Sequence, residues 1–376
     1  MKQNLSERLG SLDVLRGFDL FALVFFQPVF MAFYRVADLP WLKPLALQFE
    51  HVSWEGFAFW DIIMPLFMFM AGASMPFAFS KYLSAGSRLS LYRRILKRVI
   101  LLWVFGMMCQ GNLLALDPSK LYLYSNTLQA IAMGYLIAAI MLIHLKQKWQ
   151  IGITAALLLV YWGLLSFVKF DGYGGGNFSP DLNLAEYVDR VALGRFRDRA
   201  VVTPEGIEFG SYRYTWILSS LNFGVTVMTG VFAGQILKSN LTKERKMGLL
   251  VVAGISMMVA GQLWGLHMPV IKKIWTSSMT LFSSGICFLM MALFYYLVDY
   301  KNYGRYLNWL KIYGMNSILA YMLFMIVNFT GVVESLLFGT ATYLGSFYPV
   351  VIKLGSVSIP LVILLLLHRH KVYLKV

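Results

Sequence analysis

The chain has 376 residues, 59% of them hydrophobic and only 14% charged, a composition that would leave a water-soluble domain with large exposed apolar patches. Its 33 Lys and Arg outnumber 18 Asp and Glu, a formal net charge of +15. The basic residues are scattered through short loops rather than gathered into a stripe, which fits membrane orientation and argues against a nucleic-acid partner.

Apolar runs of about 20 residues, the length that crosses a bilayer, recur along the whole sequence. Ten spans are predicted, over residues 12–33, 57–79, 95–115, 125–145, 150–168, 214–237, 247–266, 276–299, 312–331 and 347–367. The expected fold is an all-α integral membrane protein: a polytopic bundle of about ten transmembrane helices, forming one domain over residues 1–376 and surrounded by lipid. The first run lacks a following small-residue cleavage site and is read as a span, not a signal peptide. Asp13 and Arg16, three residues apart at its start, are expected to pair and tie down the helix. Asp19 lies deeper on another face. Cys109 and Cys287 both sit within apolar runs, so neither a disulfide framework nor a thiolate metal site is expected.

Orientation follows from the loops. With the N-terminus placed in the cytoplasm, the loops 80–94, 146–149, 238–246 and 300–311 and both tails share that side. They include KYLSAGSRLSLYRR, KSNLTKERK, KNYGRYLNWLK and HRHKVYLKV, all basic. Both termini are therefore expected to be cytoplasmic. A long extracytoplasmic loop is expected at 169–213. Its glycines 174 to 176 read as a turn, because no strand–loop–helix context makes them a phosphate cradle. NLAEYVDRVALG reads as a helix within it.

Polar residues in apolar surroundings mark the candidate site. The stretch FEHVSWEGFAFWDIIMPLFMFMAG, residues 49–72, sets His51, Glu55 and Asp61 at the mouth of the second span. A neutral imidazole is suited to accept a proton near pH 7, although position alone favours an interfacial histidine bonded to water or backbone. Glu55 would orient the ring if the segment is helical. Trp54 reads either as an interface anchor or as a platform for a sugar face. Asp61 is an expensive carboxylate within a span, and packing and function are equally open to it. Ten residues of continuous helix would hold it about 15 Å from His51 unless the chain bends. Arg93, Arg94, Lys97 and Arg98 enter the third span, mostly as snorkelling cations; Arg98, the deepest, is also placed to meet a phosphate. Gly72 and Ser74 are expected at close helix contacts. Asn316 and Ser317 would bridge helices or line a pocket.

In order along nearly the whole chain, RLGSLDVLRGFDLF, HVSWEGFAFWDIIMPLFMFMAGAS, LQAIAMGYLIAA, NLAEYVDRVALG, TPEG, VMTGVFAGQIL, KKIWTSS and GMNSIL resemble the transmembrane heparan-α-glucosaminide N-acetyltransferases and their bacterial relatives. The resemblance implies an acetyltransferase that moves acetyl from cytosolic acetyl-CoA, as co-substrate, to the amine of an extracytoplasmic glucosamine-type sugar. No metal is expected. His51 matches the family histidine regarded as catalytic, as general base or acyl acceptor, and its H-x-x-W-x-G context is followed by Asp61 and Pro65. Arg98 matches a basic position on the CoA side, and Arg94 and Lys97 beside it are further cofactor-binding candidates. Where the family often carries asparagine late in span one, this chain has Gln27, followed by Pro28, which should disturb the helix. The usual Leu-Gln-Arg at the start of span four is Leu128-Gln129-Ala130. Gln27, Trp54, Asp61 and Asn316 are the supporting or acceptor-binding candidates. The compact form, without a sizeable N-terminal domain, points to a multi-pass protein of a bacterial inner membrane; a homodimer stays open. Two rival functions remain: O-acetylation of an envelope polysaccharide, and transport of a sugar or peptide through a polar pathway.

Overall fold

The structure, a computed structural model, describes residues 9–37, 39–210 and 214–374; both chain ends and the last three residues of the loop expected at 169–213 lie outside that description. It is helical apart from two short hairpins. The first run forms α1 (Gly10–Phe21) and α2 (Gln27–Ala37), followed by a short α3 (Lys43–Gln48). Then come α4 (Ile63–Ser84), α5 (Arg88–Cys109), α6 (Thr127–His144) and α7 (Gln147–Phe167). The long loop carries hairpin β1 (Lys169–Phe170) and β2 (Tyr173–Gly174), helix α8 (Leu184–Leu193), and hairpin β3 (Ala200–Thr203) and β4 (Gly206–Phe209). Three long helices follow: α9 (Ser220–Lys238), α10 (Lys243–Gly265) and α11 (Ser277–Tyr295). The chain closes with α12 (Gly304–Leu307), α13 (Lys311–Met315), α14 (Ser317–Ile326), α15 (Phe329–Leu337), α16 (Ala341–Leu344) and α17 (Tyr348–Arg369).

Among the described residues, eight helices are long and apolar enough to cross a membrane, or nine if α12–α13 and α14 count as one bent span. The all-α membrane fold thus stands, and two of the ten expected spans differ from expectation. The third is a helix of 22 residues, but its cations run to Arg98. The remaining apolar stretch, 99–109, extends about 16 Å at 1.5 Å per residue, short of the roughly 30 Å hydrocarbon core. The ninth breaks at Asn316, where the two helical pieces meet at 60°. Beyond Ile326 the apolar sequence turns back on itself. Val333 of α15 lies over Gly355 of α17, where a β-carbon would approach it to 2.8 Å. Hydropathy reads such a reversal as continuous, because both arms are equally apolar.

The chain divides into two compact units. Among the described residues, one comprises the chain up to His51, Ala58–Ile63 and the chain from Leu293 onward; the other comprises Val52–Phe57 and Met64–Ala292. In the first, α1 packs on α13, and Asp13 and Arg16 pair at 3.7 Å as their spacing predicts. Pro28 lacks the amide that would close the turn at Val24, and its ring crowds that carbonyl. The helix widens over Ala22–Phe26 into a π-turn, with the Gln27 amide bonded to the Ala22 carbonyl five residues back.

In the second unit, α6 packs on α5 and α9. α4 approaches α9 so closely that a β-carbon at Gly72 would lie 1.9 Å from the Val227 carbonyl oxygen. Ser74 instead bonds within its own helix, to the Ala71 carbonyl. Gly72→Ala is expected to destabilise the protein by about 1–3 kcal/mol, because one extra carbon meets rigid backbone. A melting temperature equal to the parent's in detergent would show that these helices part freely.

The loop folds around buried charge. Asn183 caps α8 by accepting from the Glu186 amide, and Glu186 is clasped by Arg190 and by a fully buried Arg197. The expected helix at NLAEYVDRVALG is therefore present. The glycine turn commits its own amides: Gly174 to Leu182, Gly175 to Val168 and Gly176 to Leu165 carbonyls. Burial pushes the Asp189 carboxyl up to about 7, against the Ile217 and Trp216 amides and Arg197, which favour its charge. Burial likewise raises Asp198 to about 7, opposed by Arg197. Both groups hold protons in the folded loop that the unfolded chain releases from about pH 4 upward. Their contribution is therefore full below about pH 4 and is lost as pH rises through about 7. Proteolytic nicking of the loop should increase from pH 5 to pH 8, and Asp189→Asn should flatten that trend. An unchanged slope in the variant would remove Asp189 as its source.

Candidate active site

The segment between α3 and α4 is extended rather than helical, and this decides the geometry of His51. Glu55 makes an antiparallel bridge with Ile271, and the Gly56 amide donates to the Val270 carbonyl. Gly56 has φ +113°, a left-handed conformation that side chains resist. Helix resumes only at a single 3₁₀ turn, Phe59–Ile62, which leads into α4. Asp61 is the third residue of that turn, and its Oδ2 reaches back to accept from the Ala58 amide at 3.0 Å. This satisfies a donor that the turn itself leaves open.

The other oxygen meets His51: Nδ1 and Asp61 Oδ1 are 2.7 Å apart. The expectation that ten residues would hold the two apart is corrected by the extended stretch. The His51 side chain is 45% exposed and that of Asp61 only 1%. An ionised carboxylate only accepts hydrogen bonds, so with Asp61 ionised Nδ1 is the donor of this bond. A buried acid behind an imidazole is the arrangement that orients the base in a catalytic triad. Glu55 lies on an extended segment, bridged to Ile271, so the one-turn helical reach expected of it does not apply; the contact at His51 Nδ1 is from Asp61.

Gln27 belongs to the same unit, and its Nε2 donates to the Phe49 carbonyl at 3.2 Å. It thereby braces the connection two residues before His51. Asn316 is committed elsewhere in that unit. Its Nδ2 donates to the Val372 carbonyl at 3.0 Å, and its Oδ1 accepts from the Leu374 amide at 2.9 Å. The amide thus mimics one rung of a sheet and holds the C-terminal segment at the helix break.

Trp54, in the second unit, donates its indole N–H to the Phe178 carbonyl at 2.9 Å. Lys273 donates to the Ser53 carbonyl at 2.7 Å and stands 6.0 Å from the Trp54 ring centre. Of the basic candidates, Arg94 bonds the Tyr82 hydroxyl at 3.0 Å, and Lys97 is exposed. The Arg98 guanidinium lies 4.3 Å from the Tyr135 ring centre, and its Nε is buried with no hydrogen-bond partner among the described residues. A cavity of about 300 Å³ opens in this unit, lined in part by Pro76, Ser80, Gln235 and Lys238. Sequence reasoning did not single out Tyr135, Lys238 or Lys273. Among the described residues, no group of three His, Cys, Asp or Glu converges to hold a metal ion.

The profile of the family described as heparan-alpha-glucosaminide N-acetyltransferase, catalytic, matches residues 8–172, the stretch that contains Gln27, His51, Trp54, Asp61, Arg94, Lys97 and Arg98. The human and mouse heparan-alpha-glucosaminide N-acetyltransferases are 25% and 24% identical to the chain over 378 aligned residues, covering 85% of it. The chain is thus similar to the heparan-alpha-glucosaminide N-acetyltransferases over most of its length. It spans about half the length of the curated relatives it matches. The matched range includes His51, Asp61 and the basic start of α5 but not Asn316.

Proposed function

We propose that the protein is a membrane N-acetyltransferase that moves acetyl from cytosolic acetyl-CoA to the amine of an extracytoplasmic glucosamine-type sugar. The His51–Asp61 pair carries this reading, since a transport pathway has no need of an imidazole held by a buried acid. The name of the relatives supplies the acceptor class. On this reading both termini are cytoplasmic, in a bacterial inner membrane, and His51 faces outward.

The amine attacks the thioester carbonyl and the C–S bond breaks. His51 Nε2 takes the amine proton as the C–N bond forms, and the imidazolium returns it to the departing thiolate. Asp61 keeps the proton on Nδ1 and stabilises the charged ring. Gln27 positions the connection that bears His51. Trp54 offers its ring to the sugar face, and Lys273 sets the edge of that platform. Arg98, with Arg94, Lys97 and the cavity at Lys238, supplies the cationic surface for the donor's phosphates. An acetyl-His51 intermediate uses the same nitrogen as nucleophile.

The deciding experiment incubates purified protein with acetyl-CoA and a panel of amino sugars and reads the products by mass spectrometry. A gain of one acetyl group on the amine, lost when the amine is blocked, is expected. Acetylation of amine-blocked sugars would instead show O-transfer, and no consumption of acetyl-CoA would sink the enzyme reading. Arg98→Ala is expected to weaken acetyl-CoA binding by about 10-fold or more, as for loss of a charged hydrogen bond. Equal affinity in calorimetry at matched salt would remove Arg98 from the donor site.

A further inference from the structure

Ser11, Leu15 and Asp19 of α1 are spaced four residues apart and so share one face of the first span. All three are fully buried. Among the described residues, the Ser11 hydroxyl and both carboxylate oxygens of Asp19 have no hydrogen-bond partner. The Ser11 backbone amide is engaged separately, by Asp299 Oδ2 at 3.2 Å. A buried, unpaired carboxyl within a span is strongly unfavourable, and chains keep such groups for polar ligands, ions or protons. Here two unsatisfied groups lie along one helix face, about 12 Å apart at 1.5 Å per residue. Their chemistry is complementary: the hydroxyl donates to a carbonyl, and the carboxylate accepts from an N–H.

We infer that this face of α1 lines the path of the donor, with Asp19 accepting from an amide N–H of its pantetheine arm and Ser11 donating to an amide carbonyl. The inference rests on the acetyltransferase reading. A donor whose phosphates stay at the cytosolic face and whose thioester reaches the outer one must pass its arm through the bundle. That arm carries two secondary amides, each of which loses its water on entry and requires a protein partner. A lipid chain offers no such groups, so apolar packing alone leaves both positions unexplained. Asp19 and Ser11 are positioning residues: they touch the arm and leave the thioester to His51.

The test measures binding of CoA and of adenosine 3′,5′-bisphosphate, which has the phosphates but no arm, to purified parent, Asp19→Leu, Asp19→Asn and Ser11→Ala proteins. Asp19→Leu should weaken CoA binding about 10–100-fold, Ser11→Ala less, and neither should change the bisphosphate. Asp19→Asn, which retains an acceptor, should fall between the parent and Asp19→Leu. Should Asp19→Leu fail to fold, Asp19→Asn and Ser11→Ala carry the comparison. If the variants melt at or above the parent's temperature and bind CoA as tightly, the polar face belongs to packing and the inference fails. A parent that binds no CoA at all overturns the acetyltransferase reading itself, and the inference with it.

Discussion

Replacing His51 with alanine is expected to lower acetyl-transfer turnover by roughly 10²–10⁴-fold, the usual contribution of a positioned general base. An amine is nucleophilic only when deprotonated, and attack on a thioester leaves a proton that must be accepted. On the acetyltransferase reading His51 Nε2 accepts it, with Asp61 holding the proton on Nδ1, 2.7 Å away. Other histidines face neutral partners: His144 meets the Tyr92 hydroxyl, His267 the Trp162 indole and His368 the Tyr373 hydroxyl. The parent's turnover should fall at acid pH, where Nε2 is protonated, and this limb should vanish from the residual rate of the variant. CoA affinity should stay at the parent's level, because the proposed phosphate site is at α5 and not at His51. A cysteine introduced by Ser53→Cys, on the exposed segment beside His51, should react with an impermeant thiol reagent from outside the cell. Full turnover in His51→Ala at neutral pH removes the base, and labelling only from the cytosol reverses the assumed orientation.

Most of the helices were legible because lipid imposes one rule everywhere, about 20 apolar residues per crossing. The rule is blind to direction, so the return of α15 onto α17 passed unnoticed. It also does not weigh cations against length, so α5 was read as an ordinary span. The Asp13–Arg16 pair and the disturbance at Pro28 were readable because each depends only on neighbours along one helix. The His51–Asp61 contact was not. A spacing argument assumes regular backbone, whereas Gly56 and the bridge from Glu55 to Ile271 hold this stretch extended. One local signal was available: an acid three residues after a helix-start position reaches back to the first amide, which places the start at Ala58 rather than before His51. The partners of Asn316 lie at Val372 and Leu374, and no local pattern reveals a bond across that much chain.

Asp61→Asn should lower turnover on the order of 10²-fold or more while leaving the protein folded, the behaviour expected when the acid behind a catalytic histidine is neutralised. Both carboxylate oxygens accept hydrogen bonds, one from the Ala58 amide and one at His51 Nδ1. Asparagine has a single acceptor oxygen, so it cannot satisfy both donors. With the oxygen toward Ala58, the side-chain NH₂ faces Nδ1 and drives the imidazole proton onto Nε2, which removes the proposed base. With the oxygen toward His51, the NH₂ meets the Ala58 N–H and the turn loses its cap, which costs about 1 kcal/mol. The imidazolium formed during transfer loses its counter-charge in either case. The two arrangements are separable by experiment, because imidazole ¹⁵N chemical shifts report which nitrogen bears the proton and thermal melting reports the cap. A residue that served packing alone would shift the melting temperature and leave the tautomer, the acid limb of the pH profile and the turnover where they are in the parent. That outcome would return Asp61 to the scaffold and leave His51 to act without an orienting acid.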